Sequence, residues 1–174
     1  MSTLKNDVSD QDHILDNADA PLTLVEYGDY ECPHCGHAHP IVKRVKAHFG
    51  DRLRFVFRNF PLTRIHPNAE PAAEVAEFAA SKGQFWQMHD LLFENQSRLG
   101  LELFEELSAE LNLELADMRQ ALGNHSFINR VRADFTGGVR SGVNGTPTFF
   151  INGERHSGPF DFDALVNKIA AAAS

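Results

Sequence analysis

Two cysteines are the whole thiol content of the 174-residue chain, and they stand three apart in Cys32-Pro33-His34-Cys35. A pair so close cannot tie distant parts of a fold together, which argues against a disulfide-built secreted scaffold. Two chemistries suit the spacing: a dithiol that cycles with a disulfide, or one half of a metal site. The flanking sequence favours the first. Leu22-Thr23-Leu24-Val25-Glu26-Tyr27 reads as a buried strand that runs through Gly28-Asp29-Tyr30 into the motif. From Cys32 to Phe49 the pattern is helical, with Ile41, Val42, Val45 and Phe49 at helical spacing and Gly50 ending it. Cys32 is therefore expected where unpaired backbone N–H groups and the positive end of a helix dipole favour an anion. A thiolate is such an anion, so its pKa should fall below the free value of about 8.5.

Each neighbour of Cys32 has an expected part. Pro33 suits the first helical position, where no N–H is needed, and biases Cys32 away from helical geometry. Cys35 follows on the same face, close enough for a small disulfide ring, and should be the buried, resolving member. His34 is expected to place its imidazole near the sulfur and favour thiolate further. Asp29 and Glu31 bring negative charge that opposes it. His37 and His39, with His34 and the cysteines, form a metal alternative. A structural zinc site usually draws four ligands from two separated pairs, and no second pair exists, so no metal is expected. Phe85, Trp86 and Phe93 could line a peptide surface, but their helical spacing favours core packing. The Asn-X-Ser/Thr triplets at Asn95, Asn124 and Asn144 matter only if the protein is secreted.

The elements that must position these residues follow from pattern. Leu53 to Phe60 is a second strand stopped by Pro61, and residues 67–140 show helical spacing throughout. Pro40 should kink the helix that contains it. Thr148 to Ile151 returns to strand, Asn152-Gly153 is a hairpin turn, and a short partner runs over Glu154 to His156. Asp161 caps a last helix carrying Phe162, Leu165, Val166 and Ile169 on one face. Strands separated by helices imply an α/β fold, a sheet with helices on both faces.

Twenty-four acidic against 16 basic residues give a formal charge of −8, which repels nucleic acid and anionic lipid alike. No stretch reaches the roughly 20 apolar residues of a transmembrane helix, so no membrane insertion is expected. Met1 to Ala20 is polar and acidic with no apolar run of signal-peptide length, giving a cytoplasmic expectation, or a periplasmic one if a leader has been removed.

The run Glu26-Tyr27-Gly28-Asp29-Tyr30-Glu31-Cys32-Pro33-His34-Cys35, with the distant Gly145-Thr146-Pro147-Thr148-Phe149, resembles the DsbA-like branch of the thioredoxin superfamily. The likeness extends from about Asp12 to the last helix. It implies a single thioredoxin-like domain over 1–174. Residues 12–62 and 143–174 would form its core, 63–142 a helical insertion between the second main strand and the cis-proline strand, and 1–11 a polar arm. It implies that Pro147 is cis opposite the dithiol and that the Thr146 backbone pairs with an extended substrate peptide. Glu26 matches that branch's buried acid, whose raised pKa lets it exchange a proton with Cys35. The implied activity is thiol–disulfide oxidoreduction without a cofactor, on thiol- or disulfide-containing proteins or small thiols such as glutathione. Its direction stays open. Similar domains are fused to sodium/proton antiporters, which keeps a redox-responsive binding module as the alternative, ahead of a metal-binding protein.

Overall fold

Two strands with apolar residues on both faces form the centre of the sheet. In a computed structural model that describes residues 2–173, Leu22–Gly28 (β2) and Leu53–Asn59 (β3) pair in parallel, with Leu24 opposite Phe55 and Glu26 opposite Phe57. Parallel neighbours need a crossover, here helix α1, Pro33–Phe49. Thr148–Ile151 (β4) joins the other side of β2 antiparallel, placing Phe149 opposite Glu26, and turns through Asn152-Gly153 into Glu154–Arg155 (β5). Between β3 and β4 lie Ala69–Ser81 (α2), Phe85–Glu94 (α3), Leu101–Glu110 (α4), Leu115–Gly123 (α5) and Ile128–Arg140 (α6). Phe162–Ala172 (α7) closes the chain, and Asp161 caps it by accepting the Ala164 N–H at 2.9 Å. No helix among the described residues is long and apolar enough to cross a membrane.

Residues 2–20 hold more order than their polar, acidic composition suggests. His13–Leu15 forms an additional edge strand, β1, antiparallel to β3, so the sheet order is β1-β3-β2-β4-β5. Thr3 bridges Glu154 at the opposite edge, and Leu4 and Val8 pack against a buried cluster. Three residues are too few to show a period, and the open edge of β3 supplies their partners. Arg58, buried on β3, anchors this segment by donating from Nε and an Nη to the two Asp12 carboxylate oxygens, at 2.8 and 3.0 Å. Helix α1 also runs unbroken through Pro40, whose side is exposed.

The sheet separates two apolar layers. Val25, Tyr27, Val56, Phe60 and Phe150 form the smaller one, with Phe135 of α6 packed on it. On the other face, Leu24, Phe55, Phe57 and Phe149 meet Val42 and Val45 of α1, and the same cluster continues through Met88, Leu92 and Phe104 of the inserted helices. Glu26 alternates with Val25 and Tyr27, so it points into this second, larger layer, beneath α1. Hydrophobic alternation alone leaves that choice open; the position of the crossover helix decides it.

Candidate functional site

Cys32 occupies the N-cap of α1 with extended backbone angles, φ −70° and ψ 122°, and Pro33 takes the first turn. Both cysteines are free thiols, Cys32 at 4% exposed and Cys35 at 0%. Their acidities diverge. The Cys35 thiol donating to its sulfur, helped by Thr146 and by the backbone N–H groups of Cys35 and His34, outweighs burial and lowers the Cys32 pKa to about 5. Burial, then the hydrogen bond to Cys32 and the charge of Glu26, push Cys35 well above the ordinary thiol value. The pair therefore holds one negative charge, on the outer sulfur.

The cis Thr146–Pro147 bond brings a second segment against that sulfur. Cys32 Sγ lies 3.6 Å from the Thr146 carbonyl, a bond open to its protonated form, and the Thr146 hydroxyl is buried without a partner. A thiol can use the carbonyl and a thiolate the hydroxyl, so both protonation states find a group there.

The two acids expected to oppose the thiolate are engaged in holding the turn. One Asp29 oxygen accepts the N–H groups of Glu31 and Cys32, at 2.8 and 3.2 Å. Its other oxygen accepts Leu62 N–H at 2.9 Å and bonds His66 Nδ1 at 2.8 Å. The Glu31 carboxylate accepts the backbone and side-chain N–H groups of Asn68, at 2.8 and 2.9 Å. His34 contributes through its backbone N–H, and its side is exposed, with no hydrogen bond among the described residues.

Gln96, absent from the expectations, ties the inserted helices to the motif. Its Nε2 donates to the carbonyls of Tyr30 and Cys32, at 2.9 and 2.8 Å, and a Cβ on Gly36 would lie 2.3 Å from its Oε1. A side chain at position 36 would push the Gln96 amide aside. The only sequence signal was Gly36 itself, a poor helix former in a first turn.

Glu26, 3% exposed, has its carboxyl raised to about 8 by burial and then by the charge of Cys32. Its Oε2 has no hydrogen-bond partner and borders a cavity of about 30 Å³ that also touches His39, Lys43, Lys46, His89 and Asp90. That volume is enough for a water molecule. His37 is exposed and contacts Phe160, whereas His39 is buried against Phe93, so the histidines near the motif do not converge on the cysteines. Phe85 and Phe93 are core residues and Trp86 packs half-buried beside them.

The thioredoxin family model matches residues 8–171. The Na(+)/H(+) antiporter NhaA 1 of Salinispora arenicola is 42% identical over 163 residues, covering 94% of this chain and 25% of that protein. NhaA 1 of Mycobacterium sp. is also 42% identical, over 93% of this chain and 27% of that protein. The chain thus spans about a quarter of the length of the curated relatives it matches. Among solved structures, oxidised BdbD from Bacillus subtilis superposes with a TM-score of 0.85 at 23% identity, over 98% of both chains. Wolbachia pipientis alpha-DsbA1 gives 0.82 at 20%, over 94% of this chain and 92% of that one. At such identities the superpositions speak to the fold.

Proposed function

Since this chain belongs to the thioredoxin family, we propose that it is a DsbA-like thiol–disulfide oxidoreductase working through Cys32 and Cys35. The opposed acidities of the two thiols carry this reading: Cys32 near 5, Cys35 far above it. A good leaving group and a good resolving nucleophile are thereby assigned to different sulfurs.

In the oxidising direction a substrate thiolate attacks Cys32 Sγ and breaks the Cys32–Cys35 bond. The Cys35 sulfur leaves with the electron pair and takes a proton from Glu26, whose raised pKa keeps it protonated at neutral pH. A second substrate thiolate then attacks the substrate sulfur of the mixed disulfide and expels Cys32 as a thiolate. The substrate is oxidised by two electrons and the enzyme dithiol holds them. Reduction runs the same steps backwards, with Cys32 as nucleophile. Thr146, outside the β4 ladder, is where an extended substrate peptide pairs, beside cis Pro147. Pro33 and His34 shape the first turn, leaving the His34 and Cys35 N–H groups aimed at the thiolate.

Stabilising the thiolate stabilises the reduced protein and so makes the disulfide more oxidising. Thioredoxin, with a thiol pKa of ~7, lies at about −270 mV, and DsbA, at ~3.5, at about −120 mV. A Cys32 pKa of about 5, between those of the two thiols, supports an intermediate potential, measurable by equilibration with glutathione. Cys32→Ser should abolish insulin reduction and thiol oxidation, and Cys35→Ser should accumulate mixed disulfides. Full activity in Cys32→Ser would refute the dithiol mechanism.

The antiporter names of the relatives favour a second reading, a redox-responsive module that conveys thiol state to an adjoining transporter. Turnover separates the two. An enzyme oxidises many equivalents of substrate thiol when glutathione disulfide is supplied, whereas a sensor reacts once per molecule.

A further inference from the structure

Helices α1 and α3 bring a second set of donor side chains together on the seam behind the dithiol. His39 comes from α1, and His89, Asp90 and Glu94 from α3. One donor atom from each of His39, His89 and Asp90 lies within 4.8 Å of the others. His39 Nε2 is 3.6 Å from Asp90 Oδ1 and 3.8 Å from Glu94 Oε2. These distances exceed a hydrogen bond, and Nε2 is a buried atom with no partner on a residue only 8% exposed. Such an orphan asks for an explanation.

We propose that His39, His89 and Asp90, with Glu94 in reach as a fourth donor, form a binding site for a divalent transition-metal cation of the zinc class. Two imidazoles and a carboxylate suit zinc in kind, and tetrahedral zinc holds its nitrogen and oxygen ligands at ~2.0–2.2 Å. Tetrahedral ligands at that range sit ~3.4 Å apart, so the His39 pairs with Asp90 and Glu94 are already close to it, and the two carboxylates, whose sides are 37% and 48% exposed, have room to adjust. The supporting shell is already in place. Tyr30 Oη bonds His89 Nδ1 at 2.8 Å, which fixes the ring and leaves Nε2 for the metal when Nδ1 carries the proton. Phe93 stacks on His39 with ring centres 5.0 Å apart. Burial holds both imidazoles below their ordinary pKa.

A cation already visits the carboxylates. Lys43 Nζ is 3.5 Å from Asp90 Oδ2 and 3.7 Å from Glu94 Oε2, on a side chain 53% exposed. It competes with a metal and can swing into solvent when one binds. The site is independent of Cys32 and Cys35, so it stands or falls apart from the oxidoreductase reading.

The test uses the full chain carrying Cys32→Ser and Cys35→Ser, which removes thiolate ligands. Zinc is titrated by calorimetry, and cobalt(II) reports the ligand field by visible absorption. Stoichiometric zinc binding is expected, with cobalt bands free of sulfur charge transfer. Asp90→Asn, at the surface and safe for folding, should weaken zinc at least about tenfold, and His39→Gln should remove binding. Lys43→Ala should tighten it, an effect that an ordinary salt-bridge cluster would not show. Absence of zinc binding, zinc affinity unaltered by Asp90→Asn and His39→Gln, or weaker binding in Lys43→Ala would each overturn the site.

Discussion

Burying Glu26 in the apolar layer beneath α1 penalises the fold and, in the proposed mechanism, supplies the proton. Its carboxyl is raised from 4.5 to about 8, so folding disfavours the ionised form that the unfolded chain adopts. The penalty is absent below pH 4.5, grows as pH rises through the interval, and is complete above about 8. At pH 7 it amounts to about 3 kcal/mol, taking ~1.4 kcal/mol per unit of pH above the ordinary carboxyl value. Glu26→Gln should therefore make the reduced protein more stable than wild type in urea at pH 7, with the advantage vanishing near pH 4. The same variant should slow thiol oxidation, because Cys35 loses its proton donor. Equal stabilities at pH 4 and pH 7 would show that Glu26 titrates normally.

Among the elements, the short segment between α3 and α4 reaches the cysteine motif. Gln96 crosses from it to the carbonyls of Tyr30 and Cys32, the last peptides before α1 begins. Holding those peptides also holds the N–H groups that follow them, which lower the Cys32 pKa. Gln96→Ala should raise that pKa, read from thiolate ultraviolet absorbance against pH, and should destabilise the protein by about 1–3 kcal/mol by leaving the Tyr30 carbonyl without its donor, while the Gly36 N–H still bonds that of Cys32 at 3.0 Å. Gly36→Ala should reproduce the shift, since its Cβ would displace Gln96. An unchanged titration in both variants would refute the coupling. This strap was illegible in sequence because its two ends lie 64 residues apart and neither end has a local pattern. The legible features were local ones: Cys32 before Pro33 at a strand-to-helix junction, the Asn152-Gly153 turn, the Asp161 cap, and the helical spacing of Phe104 and Leu107. His13–Leu15 was missed for the same reason as Gln96, its order coming from β3 rather than from its own residues. The side of Glu26 likewise depended on where α1 crosses.

At the scale of the whole molecule, the excess of acidic residues sets which partners approach the sulfur. The formal charge is −8, and from Asp29 to Pro40 the chain carries no lysine or arginine to reverse it near Cys32. Asp29 and Glu31 lie beside the motif, held by backbone and side-chain N–H groups and, for Asp29, by His66. An anionic disulfide such as that of glutathione thus meets a repulsive field, and a cationic one such as cystamine an attractive field. Charge steering acts on encounter, so it is screened by salt: the Debye length falls from about 10 Å at 0.1 M to about 3 Å at 1 M. Differences in shape and leaving-group acidity persist at high salt. The reduced protein should therefore react faster with cystamine than with glutathione disulfide at low ionic strength, and the ratio of the two rates should fall steadily as salt is added. A ratio that stays constant across that range would mean that the field of the remote acids does not reach the dithiol, leaving the residues around Cys32 and Thr146 to choose the substrate by contact alone.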